Sequence, residues 1–162
     1  MTWWERRGFN TFYVVVAATG FIYFYMKYVL VTDDPFAIIN HPWQPAMLSF
    51  HLVAAALFVA FFGMLFRSHS FGKIRSAQRE NRRTGWTSLL SFAAMALSGY
   101  FIQVASSPAL ITAWIWIHVA ASTLFVVGYG VHLVNGWRIG RRPTRRATAT
   151  PAALPGPARL AP

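Results

Sequence analysis

Four long apolar blocks, a scarcity of charge and the placing of that charge predict an all-α, integral membrane four-helix bundle with both termini cytoplasmic. Of the 162 residues, 56% are hydrophobic and 12% charged, about half the charge of an ordinary soluble domain. The apolar residues gather at 12–31, 46–66, 86–104 and 109–134. Each block approaches the roughly 20 residues that a helix needs to cross the hydrocarbon of a bilayer. Every Lys and Arg except Lys27 lies in one of three segments: Arg6 and Arg7, residues 67–83, and Arg138 onward.

The first block resembles a secretory signal in position only. It is long, contains Lys27 and has no small-residue cleavage site before Asp33, so a retained helix is expected. The connection at 32–45 carries two acids and no Lys or Arg, and residues 105–109 carry no charge, whereas residues 67–84, RSHSFGKIRSAQRENRRT, are basic. Basic connections stay on the cytoplasmic side. Residues 67–84 and both ends of the chain therefore belong inside, in a bacterial cytoplasmic (inner) membrane, with membrane lipids as neighbours. Trp3, Trp4, Trp43, Trp86, Trp114, Trp116 and Trp137 all fall near the expected interfaces, as aromatic belts do. A transmembrane domain over 1–142 is followed at 143–162 by an Ala/Pro/Thr-rich cytoplasmic tail, with too few apolar side chains for a packed element of its own.

The net charge of +11 does not point to nucleic acid, because no aromatic–basic interleaving or known module accompanies it. The absence of cysteine excludes disulfides, thiolate metal sites and a covalently attached c-type haem. No carboxylate pair, phosphate loop or activated nucleophile is evident, and the four acids lie outside or at the ends of the spans.

The histidines carry the chemistry. His118 and His132 are fourteen residues apart, which leaves them about 40° apart on one helix face and about 21 Å apart along the axis, one in each leaflet. His51 and His69, eighteen apart on the second helix, also share a face. His51 and His118 fall at similar depth toward the outer surface, and His69 and His132 lie toward the inner one, with His69 about 5 Å deeper on straight helices. Two imidazoles facing each other at one height can ligate a haem iron from both sides, an arrangement that favours electron transfer. The offsets +4, +7 and +11 are Ala55, Phe58 and Phe62 after His51, and Ser122, Phe125 and Tyr129 after His118. Small residues there leave room for a flat macrocycle, and aromatic ones would fill the space between two. Lys27 either snorkels to the outer interface or meets a haem propionate there. His41, in NHPWQP, is either an exposed loop residue or a proton-handling group at a haem edge or quinol pocket.

With these residues in view, the chain resembles the small four-helix bacterial di-haem cytochromes b. The resemblance runs over residues 33–138: HPWQPAMLSFH into the second helix, RSH at its inner end, RRTGW opening the third, SGYFIQV closing it, and HVAASTLFVVGYGVH in the fourth. It implies two non-covalent haems b, ligated by His51 with His118 and by His69 with His132, together with a periplasmic cytochrome c, a quinone or another redox subunit as electron partner. The eighteen-residue spacing on the second helix departs from the fourteen of the respiratory pattern. Two other readings stand beside this one. In a quinol-oxidising enzyme subunit His41, Lys27 or Tyr100 would move protons. In a haem-free anchor or assembly protein the histidines would hydrogen-bond between helices.

A reporter fused after Arg142 should behave as cytoplasmic and one inserted in the 32–45 connection as external. An external signal after Arg142 would overturn the helix count.

Overall fold

A computed structural model of the chain describes residues 2–67 and 82–140. They form four helices: α1 (Trp3–Tyr28), α2 (Gln44–Leu65), α3 (Arg82–Val104) and α4 (Pro108–Gly140). All four are long and apolar enough to cross a membrane, so the protein is a multi-pass membrane protein.

The ends of the helices follow from local chemistry rather than from hydropathy. α1 begins well before the apolar block at 12–31 because Thr2 and Glu5 form a capping box. The Thr2 hydroxyl accepts from Glu5 N–H, and the Glu5 carboxylate accepts from Thr2 N–H at 2.7 Å. These bonds satisfy amides that the first turn cannot. α2 opens with Pro45 in its first turn, where a missing N–H does no harm. The imidazole Nδ1 of His41 accepts from Trp43 N–H at 3.1 Å, and Gln44 N–H donates to the His41 carbonyl. Asn40 Nδ2 donates to the Lys27 carbonyl at 2.9 Å and so ties this connection to the end of α1. Three residues, 105–107, join α3 to α4, with Pro108 as the first residue of α4. The charged or polar ends of α1, α3 and α4 continue past the apolar blocks, as helices do when their last turns enter the interface.

Consecutive helices run antiparallel. Thr19 of α1 meets His51 of α2, Ser98 of α3 meets His118 of α4, and Tyr13 of α1 bonds the Val126 carbonyl of α4. The bundle is therefore up-down-up-down, with α2 and α4 parallel. Its centre is aromatic. Phe9 stacks on Phe58 with centroids 4.8 Å apart, Phe92 stacks on Phe62 at 3.6 Å, and Phe58, Phe92 and Phe125 meet one another at 5.5–5.9 Å. Edge-to-face and offset stacks of this kind add to packing beyond area alone. Val14, Leu90, Leu97 and Val127 point outward with more than half their surface exposed, which suits lipid and not water.

On α3 the buried face contains Ser88, Ser91 and Ser98 beside Phe92 and Met95. Each hydroxyl turns back onto the carbonyl four residues earlier, at 2.7–2.9 Å. A serine satisfied in this way behaves as a small residue, and small residues let membrane helices approach closely.

Phe58 is 2% exposed and touches three other rings. Phe58→Ala should lower stability to unfolding in detergent by about 3 kcal/mol. Phe50→Ala, at a ring that faces lipid, should change it by less than about 0.5 kcal/mol.

Candidate functional site

α2 and α4 present their histidines on the faces that line the bundle. On α2 the inward stripe is His51, Ala54, Phe58; on α4 it is His118, Ala121, Phe125, Tyr129, with the named Ala, Phe and Tyr buried. Phe58 and Phe125, each seven residues past its histidine, are in contact, with centroids 5.9 Å apart. Because the two helices are parallel, equal offsets from a shared contact put His51 and His118 at the same height. At +11, Phe62 and Tyr129 are joined through Phe9, at 6.2 and 5.2 Å. Ala55 and Phe62 pack against the core.

Neighbouring helices fix the orientation of each imidazole. His118 Nδ1 lies 2.9 Å from the Met95 carbonyl. A carbonyl only accepts, so Nδ1 carries the proton and the lone pair is on Nε2. Ser98 Oγ stands 3.2 Å from the same nitrogen. His51 Nδ1 is 2.9 Å from Thr19 Oγ1, whose own proton goes to the Val15 carbonyl at 2.8 Å. The hydroxyl therefore accepts from Nδ1–H, and the lone pair of His51 is again on Nε2. His132 Nδ1 is 3.1 Å from Thr84 Oγ1. Holding one ring nitrogen by a hydrogen bond is how proteins prepare the other for a metal.

Each of these hydroxyl residues is followed by glycine, in the doublets Thr19–Gly20, Ser98–Gly99 and Thr84–Gly85. A Cβ on Gly20 or Gly99 would stand 3.1 Å from Cε1 of His51 or His118, and one on Gly85 3.5 Å from that of His132. The first two are tighter than a side-chain carbon tolerates without displacing the ring. The neighbouring helix thus supplies an acceptor and, one residue on, the space for the imidazole edge. The doublets are visible in the sequence, but their meaning depends on which helix faces which histidine.

Among the described residues no group of three or more His, Asp or Glu gathers as for a bare metal ion. The candidate centre is instead a facing pair. Among the described residues the hydrogen bonds of His51 and His118 all fall on Nδ1 and none on Nε2, and four residues after His118 the buried Ser122 Oγ has no partner. Two oriented imidazole nitrogens can serve as donors to a metal, and the small residues Ala54, Ala55, Ala121 and Ser122 follow them one turn deeper.

The other expected residues fall as follows. His69 lies outside the described residues, as does the 143–162 tail. His132 is half-buried and stacks beside Tyr129, whose hydroxyl donates to Asn10 Oδ1 at 2.7 Å. Lys27 Nζ sits 5.6–5.7 Å from the ring centroids of Tyr23 and Tyr28. His41 shapes the turn into α2, and Tyr100 is exposed near the end of α3. Compared with protein-family profiles, curated proteins and solved structures, the chain matches none.

Thr19→Val should strip His51 of its acceptor and destabilise the bundle by about 1 kcal/mol. Ser98→Ala should have the smaller effect, because the Met95 carbonyl still holds His118. Thermal unfolding of the two variants in one detergent checks the order.

Proposed function

We propose that the protein is a membrane b-type cytochrome of the bacterial cytoplasmic membrane, with both termini cytoplasmic. His51 and His118 ligate an outer haem b, and His132 with His69 ligates an inner one. The observation that carries the reading is the matched pair on α2 and α4: same height, Nδ1 of each held by a neighbouring helix, Nε2 of each left with its lone pair. Bound in this way, haem supplies reversible one-electron transfer with no open coordination position.

The chain's own residues do the rest. Thr19, Ser98 and the Met95 carbonyl hold the ligating rings in register, so little reorganises as charge arrives and leaves. The aromatic layer of Phe9, Phe58, Phe62, Phe92 and Phe125 separates the outer from the inner half of the bundle and excludes water between them. Lys27 is a cation at the outer end of α1, placed for a propionate, and His41 stands in the same outer region as a proton acceptor. Electrons would exchange with a periplasmic cytochrome c, a quinone or a partner subunit. The resemblance of residues 33–138 to small di-haem cytochromes b supports the same reading.

A haem-free anchor would also use interhelical imidazole bonds. It gives no role to the two uncommitted Nε2 atoms or to the orphaned Ser122 hydroxyl, which is why the cytochrome reading is preferred.

The purified protein should be coloured, with a reduced-minus-oxidised spectrum of the b type and about two haems per chain, extractable by acidic organic solvent because no cysteine can hold them. His51→Ala and His118→Ala should each reduce haem content to about one, and the two variants should share one residual spectrum. His132→Ala should leave the complementary spectrum. A colourless wild type after expression with ample haem would sink the proposal, as would normal haem content in both outer-site variants.

A further inference from the structure

Where α1 begins, an open groove of about 490 Å3 runs between this helix and the end of α2. Its floor is the stripe Trp3, Arg7, Gly8, Thr11 and Phe12 of α1, and its far wall is Phe61 of α2. Gly8 lets the Phe61 ring rest directly on the α1 backbone; a Cβ there would overlap it. Phe12 stacks on the same ring, with centroids 5.2 Å apart. One end of the groove is thus wholly apolar and lies in the span.

The other end is cationic. The guanidinium carbon of Arg7 lies over the Trp3 ring, 4.1 Å from its centroid. A guanidinium that meets an aromatic ring by its face keeps its N–H edge, the edge that recognises phosphate in a fork, for a further partner, and Arg7 lines the groove. Among the described residues Arg7 has no ion pair. Trp4, 74% exposed, adds a second indole at this level, T-stacked on Trp3 at 4.5 Å. One turn farther in, Thr11 departs from the other threonines of the spans. Thr19, Thr87, Thr112 and Thr123 return their hydroxyls to the carbonyl four residues earlier, whereas the Thr11 hydroxyl has no partner among the described residues and opens onto the groove.

We propose that this groove is a binding site for one anionic glycerophospholipid of the leaflet on the N-terminal side of the membrane. Its phosphate meets the free edge of Arg7, its glycerol ester meets the Thr11 hydroxyl, and an acyl chain lies against Phe12 and Phe61. The rise from Arg7 to Thr11 is about 6 Å, the span of the glycerol unit between the phosphate and the first ester. Charge complementarity selects the occupant. The groove offers a fixed cation and no acid, the chain carries +11 overall, and anionic lipid is the abundant partner of opposite sign at that depth. The site is separate from the histidines, and its test does not depend on haem.

The full-length protein would be purified in detergent and offered equal amounts of phosphatidylglycerol and phosphatidylcholine with the same acyl chains, and bound lipid would be counted by native mass spectrometry. One phosphatidylglycerol should be retained about tenfold more than phosphatidylcholine. Arg7→Gln should lower that preference at least about fivefold. Arg6→Gln removes the same charge from a side chain outside the groove lining, and it should leave the preference intact. Thr11→Trp fills the groove while keeping both arginines and should expel the lipid, so the conclusion does not rest on one variant. Equal retention of the two lipids would overturn the site, as would equal losses in Arg6→Gln and Arg7→Gln. A Thr11→Trp variant that changes the oligomeric state but not the lipid count would assign the groove to a second copy instead.

Discussion

A polar group inside hydrocarbon must find its partner within the protein, because no water is there to take its place. That constraint organises this bundle. Thr19, His51, Ser98, His118, Thr84, His132, Tyr13 and Tyr129 lie at helix–helix contacts, and each makes a hydrogen bond there. Tyr13 reaches the Val126 carbonyl at 2.9 Å and Tyr129 reaches Asn10, so α1 is fastened to α4 at two points one turn apart. The histidines fasten α2 to α1 and α4 to α3. Remove these contacts and the remaining cohesion between helices is shape alone, since lipid tails are as apolar as the side chains that face them.

Against that background the Ser122 hydroxyl stands out. Other buried serines on α3 fold their protons back onto their own helix, which makes them small and inert. Ser122 does not, although the same option is open to it, one turn from His118. A buried hydroxyl left unbonded is uncommon, and this one lies a turn from an imidazole whose position is fixed through Nδ1 alone. The contrast with the centre of the bundle is sharp. There the rings from all four helices interlock, and the Phe62–Phe92 stack at 3.6 Å leaves no room between them.

Much of this was readable from the sequence. The four spans followed from apolar length, and the inward faces of α2 and α4 followed from the spacing of Phe58, Phe62, Phe125 and Tyr129 behind their histidines. The helix starts were less legible. Hydropathy places the first block at residue 12, yet α1 begins at Trp3, because capping is decided by two polar residues that an average over a window hides. The Thr–Gly and Ser–Gly doublets were hidden for another reason. A glycine in an apolar helix reads as neutral until the facing side chain is known, and that is a property of the pair of helices. His69 fell outside the described residues, so the inner pair rests on the sequence alone.

The doublets also bear on how such a bundle comes together. Thr19 and His51 belong to one antiparallel hairpin, and Ser98, Thr84, His118 and His132 to the other. Each ring is therefore aimed by a contact inside its own hairpin, between helices that enter the membrane in succession. When the two hairpins meet, the direction of His51 and His118 is already settled, and docking has only a separation left to set. A pocket built this way divides its tolerances: angle is a local matter, distance a global one.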